Sequence, residues 1–355
     1  MPAISVDTFF ACALMVILVL SAMATTSKLL YPHINSTIDN VLAVRYREIS
    51  KYLILNEGTP SNWGQNGQII PETFGLAKAN SDIPYELDMD KVSRLNSENL
   101  YAISYPCIFT MLRMSDVFFK MEIKPIFDVA ISLTATFSTA NETNYQFEIL
   151  TKKSGVPVQT ELKWYAIAEN YFETNYAYAP NGKAYINITI SNNIEGQALL
   201  VALAKTTCHT KIVSYGVHSF AHNSTKLTPK NTFVRLSPLN YTVKASFVHS
   251  EINLSRLYAL NINYYSVLEH IQSDSQSATY NLPHFIVQSP TVIVATGWNS
   301  TDFFAEWTAY PQIPLEIGAN FASLETLSNV FAYNYVVSID SALYECTVWL
   351  GGLKE

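Results

Sequence analysis

The residues of this chain that are best suited to bind a metal lie close together in sequence, at Cys208, His209, His218 and His222. Thiolate sulfur and imidazole nitrogen are ligands that Zn²⁺ prefers. On a strand, His218 and His222 would share one side with Phe220 between them. The spacing from Cys208 matches no common zinc site, and no acidic residue stands in register. We therefore expect no metal cofactor here, and we expect strand histidines that are exposed or hydrogen-bonded.

Acidic residues and nucleophiles offer no clear catalytic arrangement. Glu86, Asp88 and Asp90 alternate as calcium ligands do, but the glycine and the terminal glutamate of an EF-hand loop are absent. We expect a solvated acidic cluster in which Asp88 caps a short helix over 89–95. The chain also lacks Gly-x-Ser-x-Gly, a phosphate-binding glycine loop and His-Glu-x-x-His. It is therefore predicted not to be an enzyme, and no cofactor is expected.

The composition is typical of a β-rich protein. Charged residues make up 14% of the 355 residues, whereas Tyr (22) and Phe (18) are abundant and favour strands. The net charge of −7 argues against nucleic acid as a partner. Outside the N-terminal segment there are three cysteines, Cys107, Cys208 and Cys346, which form neither a disulfide framework nor a zinc pattern. We expect buried free thiols, although one pair, which the sequence does not identify, could bridge in an oxidising compartment.

Seven Asn-X-Ser/Thr sequons permit glycosylation outside the cytoplasm. They lie at Asn35, Asn141, Asn187, Asn223, Asn240, Asn253 and Asn299. In a chain this rich in Asn, Ser and Thr, chance alone gives about five such sites. The sequons therefore allow modification without showing it.

The N-terminal segment carries no charge between Asp7 and Lys28. An apolar run of about 20 residues is the length that a helix needs to cross a bilayer. Three interpretations stay open: a retained transmembrane helix over 8–27, a Sec signal peptide cleaved before Thr25, and a buried core helix. We expect the first, continued by an amphipathic stalk because apolar residues recur at helical spacing over 34–53.

Two short motifs around this helix resemble archaeal type IV pilin-like proteins, which are also called pseudopilin-like or class III signal-peptide proteins. Ser-Val-Asp at 5–7 leads into the helix, as it does in that family. An amphipathic helix that ends in Gly-Thr-Pro-Ser-Asn-Trp-Gly then occupies 45–64, and a Gly-Leu-Ala turn follows at 75–77. The resemblance covers 4–125 and implies a membrane-anchored surface protein that assembles with like subunits.

The resemblance also implies a role for the start of the helix. In pilins an acidic residue at this position is thought to pair with the N-terminus of a neighbouring subunit, which would make Asp7 the assembly residue here. Phe9 and Phe10 would stand beside it at the membrane. A capping or interfacial role for Asp7 stays open. The implied partners are the membrane, through the N-terminal helix, and other copies in a filament or surface complex.

The end of the stalk helix has a physical account of its own. Gly58 can adopt a positive φ and end the helix, and Pro60 prevents it from restarting. Trp63 can then bury its large ring against the helix that the chain has just left. We therefore expect Gly58, Pro60 and Trp63 to form a structural corner.

From residue 117 apolar and polar residues alternate, which is the pattern of half-buried strands. Strand-like runs occur at 117–123, 129–133, 145–151, 159–168, 171–178, 183–190 and 199–205, with turn signals between them. These runs predict an antiparallel sandwich. Gly-Val-Pro at 155–157 and Asn-Gly at 181–182 resemble the immunoglobulin-like repeats of prokaryotic surface proteins. Further runs between 241 and 350 predict a second β domain.

Together these features predict an α+β fold, in which a long N-terminal transmembrane helix precedes mainly antiparallel β-sandwich domains. The predicted division is a transmembrane and stalk helix at 1–58, a mixed α/β connecting region at 59–120, an immunoglobulin-like sandwich at 121–228 and a second β-rich domain at 229–355. The predicted function is that of a non-enzymatic pilin-like or membrane-anchored structural or adhesive protein, with a single span in the cell membrane and its body outside. Two alternatives stay open: a Sec-secreted module that binds glycan or protein, and an unrecognised enzyme.

Overall fold

The computed structural model of the chain describes residues 6–114, 116–224, 227–284, 289–300, 302–321 and 327–353. The side chains at 6–14, 27, 29–39, 327–329 and 353 are outside that description as well. The helices are α1 (Val6–Leu55), α2 (Met89–Ser93) and α3 (Tyr105–Leu112), with a single 3-10 turn at Trp63–Gln65 in the described residues.

The rest of the described chain is built mainly from strands. In chain order they are β1 (Glu86–Leu87), β2 (Val117–Pro125), β3 (Asp128–Ser138), β4 (Glu142–Lys153), β5 (Val156–Pro157), β6 (Thr160–Ala168), β7 (Tyr171–Ala179), β8 (Lys183–Ser191), β9 (Gly196–Thr206), β10 (Val213–His222), β11 (Val234–Leu239), β12 (Thr242–Phe247), β13 (Ile252–Leu260), β14 (Tyr265–Val267), β15 (Glu269–Ser273), β16 (Ser277–Asn281), β17 (Thr291–Asn299), β18 (Asp302–Tyr310), β19 (Leu315–Gly318), β20 (Leu327–Ile339) and β21 (Ala342–Leu353).

In the part of the chain that the structure describes, no helix has both the length and the apolar composition needed to cross a bilayer. The chain is mostly β, so the predicted α+β fold with a transmembrane helix is wrong. The prediction equated the absence of charge with an apolar segment. Residues 21–27 contain one Met and otherwise only Ala, Ser and Thr, and they lack the Leu, Ile, Val and Phe that favour insertion.

The chain divides into two compact units, residues 1–50 and residues 51–355. The described part of the first unit is helical throughout. Its polar side chains bond to the helix itself: the hydroxyl of Thr25 donates to the carbonyl of Ser21 at 2.7 Å, and that of Thr26 donates to Ala22 at 2.7 Å. Because each hydroxyl is satisfied by the preceding turn, these residues do not interrupt α1.

The second unit contains a first sandwich made of two sheets. Sheet I contains β3, β4 and β8, with β5 beside the end of β4, and sheet II has the order β10-β9-β6-β7. This sandwich has seven long strands. Sheet I contains the first, second and fifth of them in chain order (β3, β4 and β8), and sheet II contains the third, fourth, sixth and seventh (β6, β7, β9 and β10). This is the immunoglobulin-type arrangement, except that the fourth strand pairs with the third. The β-sandwich expected for this region is therefore present.

A second sandwich follows in the chain. Sheet III has the order β14-β13-β17-β18, and sheet IV has the order β11-β12-β16-β15. Of its eight strands in chain order, sheet IV contains the first, second, sixth and fifth (β11, β12, β16 and β15). This is again an immunoglobulin-type order, in which β14 is an additional strand at the edge of sheet III. Leu236 and Val243 of sheet IV share a core with Leu257 and Ile293 of sheet III.

Sheets II and III are packed against each other, so the four sheets form a stack in the order I, II, III, IV. In β9, Leu200 belongs to the core against sheet I, whereas Val201 and Leu203 belong to the core that also holds Val292 and Val294 of sheet III. Strands that are buried on both faces lose the usual alternation with polar residues. This explains the uninterrupted apolar run Ala-Leu-Leu-Val-Ala-Leu-Ala in β9.

Sheet V joins the connecting region to the end of the chain, in the order β1-β20-β21-β2-β19. Strand β2 pairs antiparallel with β21, so that Phe119 lies opposite Leu350 and Ile123 lies opposite Cys346. This pairing links residues that the sequence assigned to different domains. The predicted domain bounds themselves stay a prediction.

Because sheet II carries two cores, a truncation on either of its faces is expected to cost stability. Leu200→Ala and Leu203→Ala should each lower the free energy of unfolding by about 2–5 kcal/mol. Urea denaturation followed by circular dichroism measures this. Ile271→Ala on the exposed edge strand β15 is the control and should change stability by less than about 0.5 kcal/mol. If Leu203→Ala behaved like this control, the packing of sheet II on sheet III would be wrong.

Candidate functional site

The residues considered for a metal site lie apart. Cys208 is exposed in the loop before β10, whereas His222 is the last residue of that strand, which is about 30 Å long. The described residues contain no group of three or more His, Cys, Asp and Glu side chains that could hold a metal ion. Cys107, Cys208 and Cys346 are free thiols, and burial raises the pKa of Cys346 to about 12, which makes its thiol inert.

The two strand histidines instead belong to the first sandwich. His222 is buried, with its Nδ1 2.8 Å from the Tyr145 hydroxyl and its Nε2 3.0 Å from the Ser191 carbonyl. Because a carbonyl only accepts, Nε2 carries the proton and Nδ1 accepts from Tyr145. His218 lies edge-on to Phe147, at 5.7 Å between ring centres, and burial lowers its pKa. Both contacts are structural.

The corner after α1 is built around one buried indole. Gly58 has φ +73°, and a Cβ atom there would lie 2.7 Å from the carbonyl oxygen of Thr73, so only glycine fits. Trp63 is fully buried, and its Nε1 donates to the carbonyl of Gly75 at 3.1 Å. Pro60 follows Thr59 through a cis peptide bond.

Two buried cations, Lys91 in α2 and Arg94 at the C-terminal cap of α2, hold the loops around this corner. Lys91 Nζ donates to the carbonyls of Glu57 at 2.8 Å and Ala77 at 2.7 Å. Arg94 donates through Nη2 to Ile69 at 2.8 Å and through Nε to Tyr101 at 3.0 Å. Burial lowers the pKa of both groups. Neither residue was predicted from the sequence, because a basic residue on or next to a short helix usually faces solvent.

Replacing the guanidinium of Arg94 should leave several of these carbonyls unsatisfied. Arg94→Lys supplies a single point donor in place of a planar fork, so it should lower the free energy of unfolding by about 3 kcal/mol. Chemical denaturation measures the loss. The exposed Arg235→Lys exchange is the control and should stay within about 0.5 kcal/mol of the wild type. Equal stability of the two variants would contradict the role given to Arg94.

The acidic cluster of the connecting region is buried, so the expectation of a solvated cluster is wrong. The predicted helix cap is confirmed, because Asp88 Oδ1 accepts from the backbone N–H groups of Asp90 and Lys91 at 3.0 Å each. Glu86 pairs with Lys78 at 2.8 Å. Each carboxylate thus has its own protein partner.

Asp90 ties the connecting region to the second sandwich. Its Oδ1 accepts from the Tyr310 hydroxyl at 2.6 Å and from the Asn240 backbone N–H at 2.8 Å. Burial raises the pKa of Asp90 from 3.8 to about 6, although both hydrogen bonds act against the shift. The folded protein therefore binds this proton more tightly than the unfolded chain does.

Asp90 should make the protein less stable as the pH rises through about 6. Between about pH 4 and 6 the folded state retains a proton that the unfolded state has released, so this contribution is largest at the acidic end and is lost above it. In the wild type, Asp90 should lower the free energy of unfolding by at most about 3 kcal/mol between about pH 4.5 and pH 7.5, as measured by urea denaturation. Asp90→Asn should remove this fall. The exposed Asp82→Asn is the control and should leave this slope unchanged. An unaltered slope in Asp90→Asn would contradict the assignment.

The described sequon asparagines lie at or near the surface. Asn141, Asn187, Asn223, Asn240 and Asn253 are exposed, and Asn299 is half-buried. The Asn223 amide donates to the carbonyls of Asn192 at 2.9 Å and Ile194 at 3.2 Å. Several predicted positions lie outside the described side chains: Ile4, Ser5, Asp7, Phe9, Phe10 and Asn35, together with the sequon residues Thr225 and Thr301.

The strongest candidate site is a cleft lined by strand ends of sheets II and III. A cavity of about 310 Å³ joins the start of β9 to the β17–β18 hairpin, and a smaller cavity of about 80 Å³ lies between the β6–β7 hairpin and β13. Glu169, Trp298 and Phe303 line both cavities. We call the two together the Trp298 cleft.

The Trp298 cleft combines an aromatic wall with polar groups. Trp298 is half-buried and meets Phe303 edge-on, with 5.5 Å between ring centres. The larger cavity is also lined by the carboxylates of Glu195 and Asp302 and by the amide of Asn193. Aromatic surface with a few polar groups is the usual composition of a ligand site at a junction between domains.

The walls of the cleft are held by the fold around them. Gly196 has φ +117°, a conformation that L side chains rarely adopt, and a Cβ atom there would make a tight contact of 3.1 Å with Cβ of Phe303. The sequence analysis did not find this site, because its residues come from several strand ends and share no spacing. The Gly-Trp pair at the end of the apolar strand β17 was the one local signal.

Comparisons with known proteins add little. No protein-family model matches the sequence, and no curated protein matches it. Among solved structures, the chain is similar to HBP35 of Porphyromonas gingivalis, with 10% identity over 52% of this chain and 63% of that one, at a TM-score of 0.19. It is also similar to a marsupial T cell receptor, with 12% identity over 52% and 96% of the two chains, at a TM-score of 0.19.

The chain thus spans less than two thirds of HBP35. At these TM-scores neither likeness carries an argument, and the sandwich assignment depends on the strand order alone. None of the comparisons supports the resemblance of residues 4–125 to archaeal pilin-like proteins.

Proposed function

We propose that this protein is a non-catalytic surface protein that associates with its own copies through α1 and displays the four-sheet stack outside the cell. The observation that carries the proposal is the exposure of apolar side chains on α1. Residues 15–20, Met-Val-Ile-Leu-Val-Leu, are between 52% and 70% exposed. Successive helical residues are 100° apart, so these six surround the helix on every side.

Such a helix is stable in water only when it is surrounded by other apolar surface. One flat partner could cover a single stripe, whereas a bundle of identical helices covers the whole circumference. Copies of the same chain supply that surface without another protein, and most assemblies of soluble proteins are built from identical chains. Assembly through the N-terminal helix is the part of the pilin-like interpretation that this proposal keeps.

Location outside the cytoplasm is part of the same proposal. The sequons are compatible with this location, because their described asparagines are mostly exposed.

A second candidate function is a binding module, which the Trp298 cleft favours. Its aromatic wall and polar rim lie between two sandwiches that pack through a continuous apolar core. A firmly packed junction can present a preformed site. Display on an assembly and binding in the cleft use different parts of the chain and do not exclude each other.

Charged residues on two opposite sides of α1 should prevent assembly. Val16 and Leu18 are about 200° apart on the helix, so Val16→Lys combined with Leu18→Lys places charge on both faces. We expect the full-length wild type to associate with rising concentration, and the double variant to sediment as the 39.8 kDa monomer. Analytical ultracentrifugation measures both.

The matched control places lysine at two exposed valines of sheet V, Val330 and Val336, and should associate like the wild type. A wild type that stays monomeric at every concentration would contradict the proposal. Equal association of the wild type and the α1 double variant would do so as well.

A further inference from the structure

The polar groups of the Trp298 cleft indicate the charge of its ligand. Glu195 and Asp302 place two carboxylates in the larger cavity, and Glu169 places a third between the two cavities. Arg256 lines the smaller cavity and offsets one of these charges, so the set is acidic on balance and repels phosphates, sulfates and other anions. The Asn193 amide adds donor groups. The cleft therefore offers both hydrogen-bond acceptors and hydrogen-bond donors. A cationic ligand would use only the acceptors, whereas a neutral ligand with hydroxyl groups can use both.

The aromatic wall indicates the shape of the ligand. Trp298 lines both cavities, so a ligand in either cavity lies against this residue. Behind it, Phe172 and Tyr258 are stacked with ring centres 5.2 Å apart, which keeps this side of the smaller cavity aromatic. A sugar ring has an apolar C–H face for the indole and hydroxyl groups around its edge for the polar residues.

The cleft is shaped before any ligand arrives. Asn223 fixes the loop before β9 through its two bonds to the carbonyls of Asn192 and Ile194. The Thr228 hydroxyl donates to Gln197 Oε1 at 2.7 Å, which positions a second lining residue. Groups that are held in place by the protein lose little conformational entropy when a ligand binds.

We propose that the Trp298 cleft binds a neutral oligosaccharide, with one sugar ring stacked on Trp298 and its hydroxyls bonded to Asp302, Glu195 and Asn193. The proposed ligand is a chain of sugar units because Trp298 and Phe303 line both cavities. This inference rests on the binding function proposed as the second candidate, and it does not require assembly through α1.

Isothermal titration of the full-length protein with three neutral hexasaccharides, cellohexaose, mannohexaose and N-acetylchitohexaose, tests the proposal. We expect saturable binding of at least one of them. Trp298→Ala should weaken that binding at least about tenfold. Because Trp298→Ala could disturb packing, the exposed Asp302→Asn serves as a second variant and should weaken binding several-fold with unchanged thermal unfolding. Trp349→Ala on sheet V is the matched control and should bind like the wild type.

Two further probes separate the alternatives. Tighter binding of spermine than of every neutral hexasaccharide would show that the acidic rim selects a cation, and it would overturn the proposal. Tighter binding of an oligogalacturonate would overturn it as well. Absence of saturable binding of all three neutral sugars up to about 10 mM would have the same consequence.

The same titration with the Val16→Lys, Leu18→Lys variant separates this inference from the assembly proposal. Every described lining residue lies between Ala168 and Phe303, far from α1 in sequence. The variant should therefore bind the sugar as the wild type does. Binding that is lost in this variant but present in the wild type would show that the site depends on assembly, and would overturn the inference as stated.

Discussion

The packing of sheet II against sheet III is the interaction on which the rest of the body depends. Each of these sheets contributes one face to its own sandwich and the other face to the shared core, where Val201 and Leu203 meet Val292 and Val294. This shared core joins two sandwiches that would otherwise be separate modules. The Trp298 cleft is lined by strand ends of these same two sheets.

Buried polar groups then connect the stack to the region that precedes it. Asp90 reaches Tyr310 in β18, and Arg94 and Lys91 bind the carbonyls of the loops after α1. Burying such groups is costly unless every one of them has a partner. Their hydrogen bonds therefore specify how the connecting region docks, while the apolar cores supply most of the stabilisation.

The two ends of the described part of α1 differ in exposure. The side chains of 15–20 are exposed, whereas Tyr46, Leu53 and Ile54 near the end of the helix are buried. An uncharged helix can lie in a membrane or against other protein. Which of these applies depends on how many of its residues favour membrane insertion. The transmembrane prediction failed at this step, and the proposed contact with identical helices follows from the exposed surface.

Local features were determined by the sequence itself. Alternation located β4, β6, β7 and β8 to within a few residues, Asp88 was correctly assigned as the cap of α2, and Asn-Gly at 181–182 marked a turn in which Gly182 has φ +68°. Each depends on neighbours along the chain. The pairing of β2 with β21, the burial of Asp90 and Arg94 and the assembly of the Trp298 cleft were decided only by the tertiary structure. They depend on which faces meet over long separations, and the same alternation permits many such pairings.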